Sequence, residues 1–519
     1  MRTSRDDRCQ RVGPGALAAL LLALALGAPA SAQVGPPVPL IPPPKGAASA
    51  PAPAPAQAPA PQRPAPNQGE SGIETAPLAP VDATWAGTLG PNDGAFPETM
   101  WQGTSRSLVA GRLAQLRPTT SPVLQDLARR LLLSTAKPPG GEDPPAGPSL
   151  ATVRLERLVA LGQIDGAMAI ADLVQTKGDP QPLDRLRVEL HFAANDVEGA
   201  CGAVQAAIGR YQDFWLDRAL IACQALRGDQ AKASVGLNLL QERKAPRDTV
   251  FDALVAAVGN RKLKVERLPD PTPIRVALLA AAKLPLPPEA LQAASPAVLH
   301  QWATNPSVPA EVRLSAAERA AALGAISLDE LRKLYAAIPP TSTERKAALV
   351  RAAAENPRAR AVIYTVAKDE PAAAVRAELI AALLDAGRKH GFFLLMARLT
   401  APILREIRPS PELDWFAPAA SRALYGAGEA QAAERWLSLA DAEVEARIAG
   451  IGHETPAAAR IGNRLFGETV LGVLVSVQQD GRLSSDPAVI ENAAAALRGI
   501  GLEREARQLE VEAALAGGP

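Results

Sequence analysis

The residues best placed to do chemistry are Cys201 and Cys223, and the chemistry is a covalent crosslink. Their midpoint is position 212, inside the turn Tyr211-Gln212-Asp213 between two predicted helices. In an antiparallel helix hairpin, residues equidistant from the turn stand opposite one another. The two thiols are therefore level, and the Cβ–Cβ separation of roughly 4 Å that a disulfide needs is within reach. The third cysteine, Cys9, falls in a leader expected to be removed on export. That leaves an even number in an oxidising compartment. Closing a 23-residue loop stabilises a fold by roughly 3 kcal/mol on the chain-entropy account. The alternatives are two buried free thiols or half of a metal site, and neither has a nearby CxxC or paired histidines to support it.

Other reactive groups are present but form no constellation. His191, His300, His390 and His453 are scattered, with no HExxH or other paired spacing. There is no GxSxG elbow, no GxxxxGK[ST] phosphate loop and no GxGxxG following a strand. Glu70-Ser71 is similar to the Glu-Ser pair of lysozyme-like transglycosylases. It sits in a proline-rich tract, however, whereas a general acid needs a buried, ordered site. Arg261-Lys262-Leu263-Lys264 with Arg267 is a small basic cluster, read as a solvated face. No catalytic residue, metal ligand or cofactor is assigned. Net charge is +1 and the first 32 residues carry four Arg and two Asp, so the rest is close to neutral. Nucleic-acid binding needs concentrated positive charge, and this chain lacks it.

The cysteines belong to a stretch in which one short pattern recurs. It reads Gly162-Gln163-Ile164-Asp165-Gly166-Ala167, then Asn195-Asp196-Val197-Glu198-Gly199-Ala200, then Gly228-Asp229-Gln230-Ala231-Lys232-Ala233. Both the opening residues and the closing alanines are 33 apart. A period of that size marks stacked helix hairpins. The Gly or Asn that opens each block suits a left-handed helix end, and the small Ala sits where the next helix approaches closely.

Over about 150–242 this pattern resembles a degenerate tetratricopeptide repeat, in which a Gly-Asp-Tyr-x-x-Ala-like turn joins helix A to helix B and a proline follows. Asp179-Pro180 stands at that place. The interval of 33 departs from the family's 34. Ile164, Val197 and Gln230 replace the aromatic after the turn, and the A helices lack the expected Trp and Tyr. The resemblance implies an all-α, right-handed superhelical array of antiparallel hairpins that presents its A-helix side to a protein or extended peptide. Aligned on the alanines, it puts Arg185, Glu189, Trp215 and Arg218 near that side. For Trp215 a core position beneath the hairpin turn is the competing expectation.

Composition agrees with helices. Hydrophobic residues make up 47% of the 519, aromatics only 3%, and alternating Val/Ile runs are scarce. Residues 1–32 read as a signal peptide: Arg2, Arg5, Arg8 and Arg11, an unbroken apolar run from Ala16 to Leu26, then Ala30-Ser31-Ala32 as the cleavage site. Eleven helical residues span only about 17 Å, too short for the ~30 Å bilayer core. The mature chain is thus expected to be periplasmic or secreted, with no transmembrane span. Residues 33–84 form a Pro/Ala-rich linker, expected to be disordered or extended, with thirteen prolines between Pro36 and Pro66.

Residues 85–148 are expected to form an N-terminal helical hairpin, with Thr104 capping its first helix and Pro122 opening its second. The repeats occupy 149–268, and a degenerate helical solenoid follows over 269–519. Ser327-x-x-Glu330 and Thr341-x-x-Glu344 read as capping boxes. The repeat turn returns at Gly428 to Ala433 and Gly501 to Ala506. Function is then expected to be contact: an exported α-solenoid scaffold for protein–protein interactions in a bacterial cell envelope. Two alternatives stand beside it. One is a peptidoglycan-associated accessory resembling the superhelical part of soluble lytic transglycosylases. The other is a hydrolase whose site forms only in three dimensions.

Overall fold

Ala and Leu dominate the apolar content and both favour helix, and helices make up most of the described residues. A computed structural model of the chain describes residues 83–144, 147–174, 180–259, 265–350, 353–440, 465–479 and 481–516. All belong to the second of the two units into which the chain divides, Leu78–Pro519. The signal segment, nearly all of the Pro/Ala-rich linker, Glu70-Ser71, Asp179, the basic cluster at 261–264 and His453 lie outside the described residues. Those residues hold 23 α-helices against one two-residue β-hairpin, Gln478–Gln479 with Arg482–Leu483, so the class is all-α. None of the helices among them is long and apolar enough to cross a membrane.

The first two helices are α1 (Arg106–Leu113) and α2 (Pro122–Leu133), which pack chiefly on later helices and not on each other as a hairpin would. Ser121 caps α2 and Pro122 takes its first position, where the missing N–H costs nothing. At α1 the cap is Ser105, whose Oγ accepts from Leu108 N–H, and not Thr104 as expected. Ser105 has the extended backbone a cap requires, while the Thr104 hydroxyl donates to Glu468 at 3.4 Å.

Three hairpins carry the 33-residue register: α3 (Leu150–Ala160) with α4 (Ile164–Ala171), α5 (Gln181–Ala193) with α6 (Val197–Ala207), and α7 (Phe214–Leu226) with α8 (Gln230–Glu242). The openers Gly162, Asn195 and Gly228 all adopt positive φ, at 74°, 61° and 83°. Asp196 and Asp229 then cap α6 and α8, and Ala167, Ala200 and Ala233 are wholly buried at the close approach of paired helices.

Beyond α9 (Thr249–Gly259) the chain turns back on these hairpins. The helix α10 (Pro273–Ala281) packs on α5 and α7, and α11 (Pro288–Ala293) leads to α12 (Pro296–Thr304) and α13 (Ala310–Ala322). The α12–α13 region meets two of the repeat turns. Gln163 donates to the Gly324 carbonyl at 2.7 Å, and Asn195 donates to the Gln301 carbonyl and the Thr304 hydroxyl, each at 3.0 Å. A Cβ on Gly162 would lie 2.3 Å from the Ala325 Cβ.

Next come α14 (Leu328–Ala336), α15 (Ser342–Val350), α16 (Pro357–Asp369), α17 (Ala373–Lys389), α18 (Phe393–Glu406), α19 (Ala417–Gly426) and α20 (Ala430–Leu437). Both expected capping boxes form, with Glu330 and Glu344 bonded back to Ser327 and Thr341. A buried Glu318 of α13 accepts from the Tyr335 hydroxyl of α14 at 2.6 Å and pairs with the Arg360 guanidinium of α16, which satisfies three polar groups at once.

The last helices, α21 (Phe466–Ser476), α22 (Pro487–Gly499) and α23 (Glu503–Ala516), do not trail outward. They share one buried core with the N-terminal helices: Trp85, Trp101, Leu113 and Leu127 lie in the same cluster as Phe466, Leu474, Leu497 and Leu509. The helix α21 packs on α1 and α2, and α23 packs between α2 and α19.

Candidate functional site

The disulfide is formed. Cys201 on α6 and Cys223 on α7 are bonded with their Cα atoms 5.6 Å apart, and both are buried. The equidistance rule places them correctly because α6 ends at Ala207 and α7 begins at Phe214, on either side of position 212. The bond ties the second repeat hairpin, which includes α5, to the third, which includes α7.

On those two helices the structure brings together three of the four residues that the repeat register singles out. Arg185 stacks its guanidinium over the Trp215 ring, 4.8 Å from the centroid, and lies 3.7 Å from the Asp213 carboxylate. Asp213 is the N-cap of α7 and also accepts from Gln181 at 3.0 Å, so it anchors both the helix start and the arginine. Glu189 is one turn along α5 from Arg185. Burial raises the Glu189 carboxyl, Arg185 pulls it down, and Glu156 on α3 pushes it further up. Glu156 is itself raised by burial, against the charge of Arg157. Trp215 is part-buried, neither a free surface ring nor a core residue.

Arg218 is held separately. It donates to the Pro246 carbonyl, and its charge reaches Asp248, just before α9, and Asp252 within it. Burial pushes Asp248 up, but hydrogen bonds from Phe251 N–H and from Arg275, with the charges of Arg275 and Arg218, leave it lowered. Asp252 is raised by burial and by Asp248, with Arg218 opposing.

Two members of this face escaped the sequence reading, and a signal for one was available. Glu156 and Glu189 are 33 residues apart, as are Arg185 and Arg218. The same register that aligns the alanines thus repeats a carboxylate from α3 to α5 and a guanidinium from α5 to α7. Asp213 lies in no repeated position and could be found only as a helix cap. The face offers guanidinium donors, carboxylate acceptors and one indole ring, a set suited to side-chain and backbone hydrogen bonding with a partner.

The histidines have local roles. His191 pairs with Asp196 at 2.8 Å, His300 meets the Ala325 carbonyl at 3.0 Å, and His390 stacks on Phe392. Among the described residues no group of three or more His, Cys, Asp or Glu side chains is placed to hold a metal ion. Neither a protein-family model, nor a curated protein, nor a solved structure matches the chain.

Proposed function

We propose that this chain is an exported scaffold: a tetratricopeptide-like, right-handed superhelix that binds a protein or an extended peptide in the cell envelope through the A-helix side of α3, α5 and α7. The observation that carries the reading is the charge ladder. Glu156 and Glu189, then Arg185 and Arg218, repeat with the period of the fold, and Arg185 is oriented by Trp215 and Asp213. Repeating donors and acceptors on consecutive helices match the repeating polar groups of an extended peptide, and Arg and Trp combine large contact area with directed hydrogen bonds. Arg185 keeps 40% of its side chain exposed, so its guanidinium has donors to spare. A disulfide between α6 and α7 is compatible with an oxidising compartment, in line with the Arg-then-apolar leader.

The test is site-specific photocrosslinking in the native host from positions 185 and 215, with position 205 on the outer side of α6 as control. The expected result is one common adduct from 185 and 215 and none from 205. Adducts that are the same from all three positions, or none from any, overturn the reading. Export is checked by fractionation and by N-terminal sequencing, with the mature chain starting at Gln33.

A further inference from the structure

The helix α8 is thinly covered. Of its thirteen residues only Ala233 and Leu240 are buried, while Val235 and Leu239 are 57% and 51% exposed. These two are one turn apart and border a groove of about 370 Å³ between α7 and α8, within the usual ~300–1,000 Å³ of binding pockets. Leu220 and Ile221 of α7 supply further apolar lining. Gly236 lets the helices close up beneath it, since a Cβ there would lie 2.6 Å from Ile221. Gln224 of α7 lines it as well.

The charges say what kind of occupant fits. Lys232 and Arg243 stand at the two ends of the groove, eleven residues apart along one stripe of α8, which is about 16 Å of helix. Lys232 is paired with Asp229 but is 72% exposed, and Arg243 is paired with Asp217 but is 47% exposed. Asp229 caps α8 and Asp217 lines the α7 side of the groove, and each cation has more donors than its one acid takes up. Eleven residues make three turns, so a second helix laid along the groove presents the same spacing on one face: an acid, two apolar anchors, an acid.

We propose that this groove docks an amphipathic helix of a partner protein, with its apolar stripe on Leu220, Val235 and Leu239 and acidic side chains at both ends meeting Lys232 and Arg243. The groove uses the stripe Asp217, Leu220, Ile221 and Gln224 of α7, whereas the charge ladder uses Trp215 and Arg218, so the two surfaces are independent.

The test uses the full mature chain and a fluorescein-labelled synthetic helix with two Leu anchors one turn apart and Glu at the two ends, read by fluorescence anisotropy. Expected is saturable binding that weakens with salt and falls roughly tenfold or more in Leu239→Glu, whose far-UV spectrum stays unchanged. Lys232→Glu shifts preference toward the same helix carrying Lys in place of Glu. Equal binding of the acidic and basic helices, or binding indifferent to Leu239→Glu, overturns the proposal. A dimer mass by light scattering that Val235→Glu converts to a monomer also overturns it, because the occupant is then a second copy. Arg185→Ala and Trp215→Ala leave the helix titration unchanged, which separates failure here from failure of the scaffold reading.

Discussion

Glu512 and Ser121 are hydrogen-bonded across 391 residues of chain, and this buried contact joins the last helix to the second. The Glu512 carboxylate also accepts from Val123 N–H at 3.0 Å, so it occupies the N-terminus of α2, where two backbone donors point outward without helical partners. Burial pushes this carboxyl up to about 7, against the hydrogen bonds from Ser121, Val123 and Gln508 and the charge of Arg398. Beside the Arg130–Glu505 ion pair, the contact between the second and last helices therefore includes a buried titratable group.

That group makes stability pH-dependent in a definite direction. The unfolded carboxyl releases its proton near 4.5 and the folded one near 7, so the native state holds the extra proton between these values. The stabilisation is complete below pH 4.5 and is lost as pH rises through about 7, by on the order of 3 kcal/mol. Glu512→Gln keeps an acceptor for Val123 and removes the titration. Urea denaturation from pH 4.5 to 8 is expected to show the difference between wild type and Glu512→Gln changing by that amount. Parallel pH profiles refute the assignment.

The Cys201–Cys223 bond predicts a second measurement. Reduction, or Cys201→Ser with Cys223→Ser, is expected to cost roughly 2–4 kcal/mol, seen as a lower unfolding midpoint that wild type reaches only with reductant present. Intact mass after alkylation is expected to show no modified cysteine in the exported, unreduced protein. Two alkyl additions without reductant contradict it.

What could be read in the sequence was what repeats. Gly162, Asn195 and Gly228 declare their left-handed backbone because few residues tolerate it, and Ala167, Ala200 and Ala233 declare close packing because larger side chains do not fit. Gly428 and Gly501 follow the same rule, at φ 79° and 85°. The disulfide was legible because its geometry is local to one turn. Contacts between distant segments leave no periodic trace. Nothing around Ser121 indicates Glu512, and nothing around Gly162 indicates Ala325. The fold-back of α12–α13 and α21–α23 is therefore a property of tertiary packing alone.

Gly162 and Gly228 occupy the same repeat position yet differ in surroundings, which gives a paired test. Both have positive φ, so Ala at either is strained and costs on the order of 1 kcal/mol. At Gly228 nothing lies within 4 Å of a new Cβ, whereas at Gly162 it meets Ala325 at 2.3 Å and Pro296 at 2.9 Å. Gly162→Ala is expected to be worse than Gly228→Ala by roughly 1–3 kcal/mol of overpacking. Chemical denaturation of the two variants decides it, and equal losses mean that α12–α13 does not press on the first repeat turn.

Arg154 supplies the last test, because it is a buried cation held by carbonyl groups. It donates to the Leu132 carbonyl through Nε at 2.8 Å and Nη2 at 2.6 Å, and through Nη1 to the Thr84 carbonyl at 3.0 Å and the Ala86 carbonyl at 2.7 Å. It also lies 4.7 Å from the Trp85 ring centroid. Leu132 is in the last turn of α2, where unpaired carbonyls concentrate negative charge, so that helix end offsets the cost of burying the guanidinium. Burial pulls Arg154 down to about 9, still cationic at neutral pH. Arg154→Met keeps much of the volume and removes every guanidinium donor to the Leu132, Thr84 and Ala86 carbonyls. A loss of roughly 2–4 kcal/mol is expected, with the cost concentrated where residues 84–86 meet α2 and α3. Trp85 fluorescence is expected to shift to the red and the 83–86 segment to become a protease site before global unfolding. A variant with wild-type emission and an unchanged midpoint shows that apolar packing of Trp85, and not the guanidinium, holds this segment in place.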